Sequence, residues 1–214
     1  MSNVFDGVKL TQCFNLVSNS GKEISALVEM LNNRFSNGLD KAKLFKTVGY
    51  PFEEERIDDS GWVFTDVASY FPLARRQKGK SKIVKHLGYQ ISLLGDGVGF
   101  SEKAEPLLHV FLWDDAVNFD EDCYMHIPYE ATSEDDPWTL IHQGQLINWE
   151  DLEGWTFSIR LTTLNSAQDL EQYVVNPAIA LLNGEQPEEA FAGSHPGLVT
   201  YQIVEDGMLV IKED

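Results

Sequence analysis

Apolar and polar residues along this chain keep two different rhythms. In "WTFSIRLTTL", Trp155, Phe157, Ile159 and Leu161 take every second place, with Thr156, Ser158, Arg160 and Thr162 between them. A period of two sends successive side chains to opposite faces of a strand. The segment therefore predicts one buried and one wet face, as in an antiparallel sheet. "PLLHVFLW" is apolar at nearly every position, which predicts a central strand covered on both sides. Further strand signals stand in "QCFNLVS", "GWVFTDVASYF", "GYQISLLG" and "CYMHIPY". The chain closes with "VTYQIVEDGMLVIK", a hairpin pattern whose Gly207 supplies the positive φ of a tight turn.

The second rhythm is helical. Ile24, Leu27, Val28, Leu31 and Phe35 recur at intervals of three and four, after a capping-box pair, Ser20 and Glu23, and before Asn37-Gly38. This predicts a helix over about residues 20–36. Another, over about 167–183, starts at Ser166, buries Leu170, Tyr173 and Val174, is interrupted at Asn176-Pro177 and stops at Asn183-Gly184. Residues 40–60 read as a short helix through "KAKLFKTV" followed by the polar stretch "PFEEERIDDSG". Strands mostly follow strands, so the pattern predicts an α+β fold. It is a single domain over 1–214, with a largely antiparallel sheet, two principal amphipathic helices and a C-terminal hairpin. The one place where it would divide is the basic loop 74–85.

Composition narrows this picture. The 214 residues are 43% hydrophobic, enough for a core that needs no disulfide or metal to staple it. No run reaches the roughly 20 apolar residues of a membrane span, and "MSNVFDGVKLTQ" lacks the basic start and apolar centre of a secretory signal. Cys13 and Cys123 lie within apolar alternation and are expected as reduced, buried thiols. The expected compartment is the cytoplasm.

Charge changes the picture most. Residues 1–103 hold 14 Lys/Arg and 12 Asp/Glu, whereas residues 104–214 hold 2 and 22. Six cations crowd into Arg75, Arg76, Lys78, Lys80, Lys82 and Lys85, and none occurs between Ala104 and Ile159. Such a layout shapes encounters with charged partners rather than the fold.

"ARRQKGKS", residues 74–81, loosely spells a phosphate-binding loop. Arg75, Arg76, Lys78, Lys80 and Ser81 would hold phosphate, with Asp114 and Asp115 after an apolar strand placed for Mg²⁺. The loop interior has no glycine, Pro72 interrupts the preceding strand, and no crossover helix follows. An exposed basic loop between two strands is the simpler expectation. Nucleic acid is disfavoured too, because no aromatic residue is interleaved with the cations to stack bases and the whole chain carries a formal charge of −18.

Asn118, Asp120 and Asp122 match the first ligands of a calcium loop, but Cys123 and Tyr129 stand where Gly and Glu are needed. The five histidines make no zinc spacing, and His109, on the pleat face of Leu107, Phe111 and Trp113, reads as a hydrogen-bonded core residue. "GDGVGF" reads as a turn. Arg160 is expected to pair with a carboxylate on a neighbouring strand. The residues call for neither cofactor nor metal.

The sequence therefore points to a non-catalytic, acidic interaction protein whose C-terminal half meets a cationic protein surface. The candidate carboxylates are Asp114, Asp115, Asp120, Glu121, Asp122, Glu134, Asp135 and Asp136, with Trp113, Trp138, Phe119 and Tyr124 as aromatic anchors. Small acidic inhibitors and immunity proteins share this character in charge, not in motif. The alternative is an enzyme or binding protein for a phosphorylated small molecule or nucleotide, acting through loop 74–85. A third arrangement would dock that loop on the acidic half of another copy, as a homo-oligomer.

Overall fold

The computed structural model describes residues 6–76, 82–98, 105–130, 138–193, 196–205 and 207–212. It opens on a 34-residue helix, α1 (Gly7–Asp40), capped by Asp6, whose carboxylate accepts the Val8 N–H at 3.0 Å. The strand expected at "QCFNLVS" and the cap expected at Ser20 both lie inside this helix. Leu10, Phe14, Val17, Ile24, Val28, Leu31 and Phe35 form one continuous stripe, and a short alternation within it loses to the longer period. Gly38 does not stop the helix either. A Cβ there would lie 2.9 Å from the Ile179 side chain, so glycine permits close helix packing.

β1 (Phe45–Thr47), where a short helix was expected, and β2 (Phe52–Ile57) both pair antiparallel with β3 (Phe64–Arg75). β2 reads as polar because it is a sheet edge: Glu53, Glu54 and Glu55 are exposed there, and edge charges deter stray strand pairing. The eight-stranded sheet continues through β4 (Lys85–Ser92), β5 (Leu107–Trp113), β9 (Gly154–Arg160), β8 (Leu146–Trp149) and β7 (Trp138–Ile141), antiparallel throughout. β5 is central and buried along its whole length, as its composition requires. Since β3 and β4 are neighbours, loop 74–85 joins two strands of one sheet.

The second helical segment runs from α2 (Ala167–Asp169) through a π-helical stretch, Leu170–Val175, into α3 (Asn176–Leu182), with a short α4 (Pro187–Ala190) after it. Pro177 falls at the start of α3, where its missing N–H costs little. An Arg34–Glu171 ion pair of 2.8 Å ties this segment to α1. The C-terminal hairpin forms from β10 (Tyr201–Ile203) and β11 (Met208–Ile211), with Gly207 at φ 79°. β6 (Tyr129–Glu130) adds a third strand to it. Of the strand expected at "CYMHIPY", only β6 and a lone Asn118–Cys123 bridge form.

The helices cover one face of the main sheet with an apolar core that includes Leu31, Phe35, Phe71, Leu87, Val110 and Phe157. The small sheet and the irregular chain between β5 and β6 cover the other face. That second layer corrects the reading of β9: Thr156 and Ser158 are fully buried, and of the polar positions in this strand only Arg160 approaches solvent. No described helix is long and apolar enough to cross a membrane. Cys13 and Cys123 are free thiols, but Cys13 is exposed on α1 and Cys123 half-buried.

Candidate interaction surface

Register across β4, β5 and β9 sets Gln90, His109 and Ser158 side by side on the face away from the helices. His109 donates its Nε2–H to the Gly97 carbonyl at 2.8 Å, which leaves Nδ1 to accept the Ser158 hydroxyl at 2.5 Å. Ser158 Oγ in turn accepts the Tyr201 hydroxyl. Complete burial keeps this imidazole neutral, with its pKa pushed down to about 4. A Ser–His pair suggests nucleophilic chemistry, yet here both residues are fully buried and Ser158 is already engaged by Tyr201. Its role is to fasten the layer above.

Gln90 fastens the neighbouring segment. Its amide donates to the Met125 carbonyl at 2.9 Å and accepts the Met125 N–H at 2.8 Å, which pins the irregular chain to the sheet. It also donates to Asp66 Oδ1 (3.1 Å), as does Ser92 Oγ (2.6 Å). Burial raises the Asp66 carboxyl above the usual carboxylate range, against the pull of those hydrogen bonds. The 3₁₀ turn Gly95–Val98 closes over this group, and a Cβ at Gly97 would sit 2.0 Å from Ser92 Oγ.

The pinned segment displays a file of aromatic rings. Centroids are 5.4 Å apart for Phe119–Tyr124, 5.5 Å for Tyr124–His126 and 5.1 Å for both His126–Tyr129 and Tyr129–Trp149. Phe119, Tyr124, His126 and Tyr129 are half-buried. The Arg56 guanidinium lies over Tyr124 at 4.9 Å and pairs with Asp96 at 3.4 Å, while the Tyr124 hydroxyl donates to Asp96 at 3.2 Å.

Carboxylates border this file. Asp115, Asp120, Glu121 and Asp122 are exposed and Asp114 is half-buried. The Asp114 N–H donates to the Leu152 carbonyl at 3.1 Å, which brings the β8–β9 turn, with exposed Glu150, Asp151 and Glu153, alongside. Their fields overlap on neighbouring groups. Burial first, then Asp115, Glu121 and Asp114, push the Cys123 thiol up; burial and then Asp151 do the same for the Tyr129 phenol.

Two anchors expected from the sequence are misplaced. Trp113 and Trp138 are each only 2% exposed and belong to the core beneath the surface. Trp113 Nε1 donates to Thr156 Oγ1 at 3.1 Å. A strand covered on both faces offers no aromatic side chain to a partner, and β5 is such a strand. Glu134, Asp135 and Asp136 lie outside the described residues. Tyr129, Glu150, Asp151 and Glu153 were not singled out from the sequence, although the three acids belong to the same cation-free stretch that marked Asp114.

The calcium-like residues make a turn instead. Asn118 accepts the Asp120 N–H at 3.0 Å, and Asp122 takes a left-handed φ of 54°. Among the described residues no group of three or more His, Cys, Asp or Glu could hold a metal ion.

The basic loop is also put to structural use. Arg76 donates to the carbonyls of Phe45 (2.8 Å), Ala42 (3.0 Å) and Asp40 (3.3 Å), closing the turn after α1, and Arg75 lies over the Phe45 ring at 6.0 Å. Lys85 donates to the Glu153 carbonyl at 2.6 Å. Lys78, Lys80 and Ser81 lie outside the described residues. A nucleotide phosphate loop leads from a strand into a helix, and here the segment leads from β3 to antiparallel β4, so that frame is missing. Arg160 pairs with a carboxylate, Glu105, at 2.7 Å, although Glu105 lies in the chain just before β5 rather than on a neighbouring strand. Comparison with protein-family models, curated proteins and solved structures finds no match.

Proposed function

We propose that this is a non-catalytic interaction protein whose acidic C-terminal half binds a cationic protein surface. One observation carries the reading: carboxylates from two chain segments, 114–122 and 150–153, border a single file of half-buried aromatic rings. Carboxylates speed encounter and set which partner is accepted. Rings that are already ordered supply contact area at low entropic cost, and such anchors dominate interface energies. Arg56 over Tyr124, held by Asp96, is an internal instance of the contact that an incoming arginine would make. Inhibition of a basic protein by covering its working surface is the function class that this arrangement fits.

The test is capture of the partner from native extract on immobilised protein, with elution by a salt gradient. The captured protein is expected to be basic and to elute as ionic strength rises. The double variant Asp115→Lys/Glu121→Lys is expected to weaken capture by about tenfold or more, equivalent to about 1.4 kcal/mol. Retention indifferent to both salt and charge reversal would refute the proposal.

A further inference from the structure

α1 is far longer than the body it packs on. At 1.5 Å per residue it spans about 51 Å, yet its buried residues, Val28, Leu31, Phe35 and Leu39, all fall in the C-terminal half. Residues 6–23 are exposed throughout. The apolar stripe does not stop where burial stops: Leu10, Phe14 and Val17 continue it at 41%, 51% and 45% exposure. Helices in water owe most of their stability to packing of such a face, so this stripe is a face with a missing neighbour. Among the described residues, Phe14 meets the exposed Trp62 ring edge-on at 5.8 Å.

Between the overhanging helix and the end of the sheet runs a groove of about 1090 Å³. Val17, Ile24 and Val28 form its helical wall, and Val63, Phe64 and Val67 line the sheet side. Each wall carries two carboxylates, Glu23 and Glu29 on the helix, Glu53 and Glu55 on β2. No Lys, Arg or His is among the described lining residues. The volume exceeds the ~300–1,000 Å³ of small-molecule sites, and the walls touch where Asn32 Nδ2 donates to Glu53 Oε1 at 2.9 Å.

We infer that this groove docks one basic amphipathic helix of a partner protein, its apolar face on the floor and its Lys or Arg residues reaching the carboxylates on both walls. Helix-in-groove recognition needs an apolar trough with anchors at helical spacing, and the rims set the sign of the flanking charge. A second copy that packed groove on groove would bring the same four glutamates face to face, and a dimer is one of the outcomes that the test reads. An anionic lipid surface meets the same repulsion. The two sites share β2, whose Glu53 and Glu55 line the groove while Arg56 lies over Tyr124, but this inference does not depend on the function proposed for the acidic–aromatic surface.

The test titrates the full-length protein with a labelled synthetic peptide of about 18 residues, roughly 27 Å as a helix. Leu occupies helical i, i+3, i+4, i+7 positions and Lys the rest. Anisotropy at physiological salt is expected to show saturable binding to the wild type. An isomer with the same composition but no helical period, and a version with Glu in place of Lys, are expected to bind at least about tenfold more weakly. Val17→Asp and the pair Glu29→Lys/Glu55→Lys are expected to cost a similar factor. Val17 and the carboxylates are exposed, and unchanged melting temperatures would show that these variants fold. Asp115→Lys/Glu121→Lys leaves the affinity intact, which separates this site from the other. No binding, equal binding of the aperiodic isomer, affinities within about twofold for the groove variants, or a dimer abolished by Val17→Asp would each overturn the inference.

Discussion

On the helical side of the main sheet, Phe71, Leu87, Val110 and Phe157 meet Leu31 and Phe35 of α1 in a mainly apolar interface, whose polar contacts gather on Asn32 of α1, accepting the Ser69 and Tyr89 hydroxyls at 2.8 and 2.9 Å. On the opposite side the same strands bury Asp66, Gln90, Ser92, His109, Thr156 and Ser158. The difference is one of tolerance. An apolar interface draws on area and volume, and it accepts other side chains of similar size. A buried polar layer fixes donors and acceptors in place, because an orphaned group costs about 1–3 kcal/mol. The helical face therefore supplies stability, while the polar face holds one arrangement of the chain above it. That chain, residues 114–130, carries the acidic–aromatic surface.

Three perturbations would break or sharpen this contrast. The largest effect is expected from Phe35→Ala on the helical face, a loss of about 3–5 kcal/mol in urea denaturation, with salt-dependent partner binding unchanged in whatever fraction stays folded. A loss under 1 kcal/mol would mean that α1 does not anchor the fold.

Next comes acid sensitivity from the polar face. His109 titrates near 4 when folded and near 6.5 when unfolded. The unfolded chain takes up the proton first as pH falls, so stability declines from about pH 6.5 down to about 4, by roughly 3 kcal/mol if this group alone contributes. His109→Gln is expected to flatten that segment of the stability–pH curve, and an unchanged slope would remove His109 as its cause.

The smallest effect carries the opposite sign. Asp66 has a raised folded pKa, so the folded state holds its proton longer and stability falls as pH rises through that range. Asp66→Asn is expected to be slightly more stable than wild type at neutral pH, with the gain vanishing below the ordinary carboxylate pKa. A loss at neutral pH would show that the ionised carboxylate is needed.

Much of the sheet was legible in the sequence because its strands stand in apolar-rich or strictly alternating runs. β3, β4, β5 and β9 stand where those runs stand, and His109 is the core histidine that its neighbours on the pleat required. What escaped depended on neighbours distant along the chain. β1 and β2 looked like helix or loop because only pairing with β3 makes them strands. Trp113 looked like an anchor because acids follow it, yet its own strand is covered on both sides.

By itself the sequence determined the α+β class, the central strands, the C-terminal hairpin and the concentration of acid in the second half, since each follows from local period or simple count. Only the tertiary structure decided that Thr156 and Ser158 of β9 are buried, that the β8–β9 turn meets Asp114 through Leu152, and that the first half of α1 is exposed among the described residues. Those outcomes are set by which surfaces remain after every strand has found its neighbours, and periodicity along one chain holds no record of that.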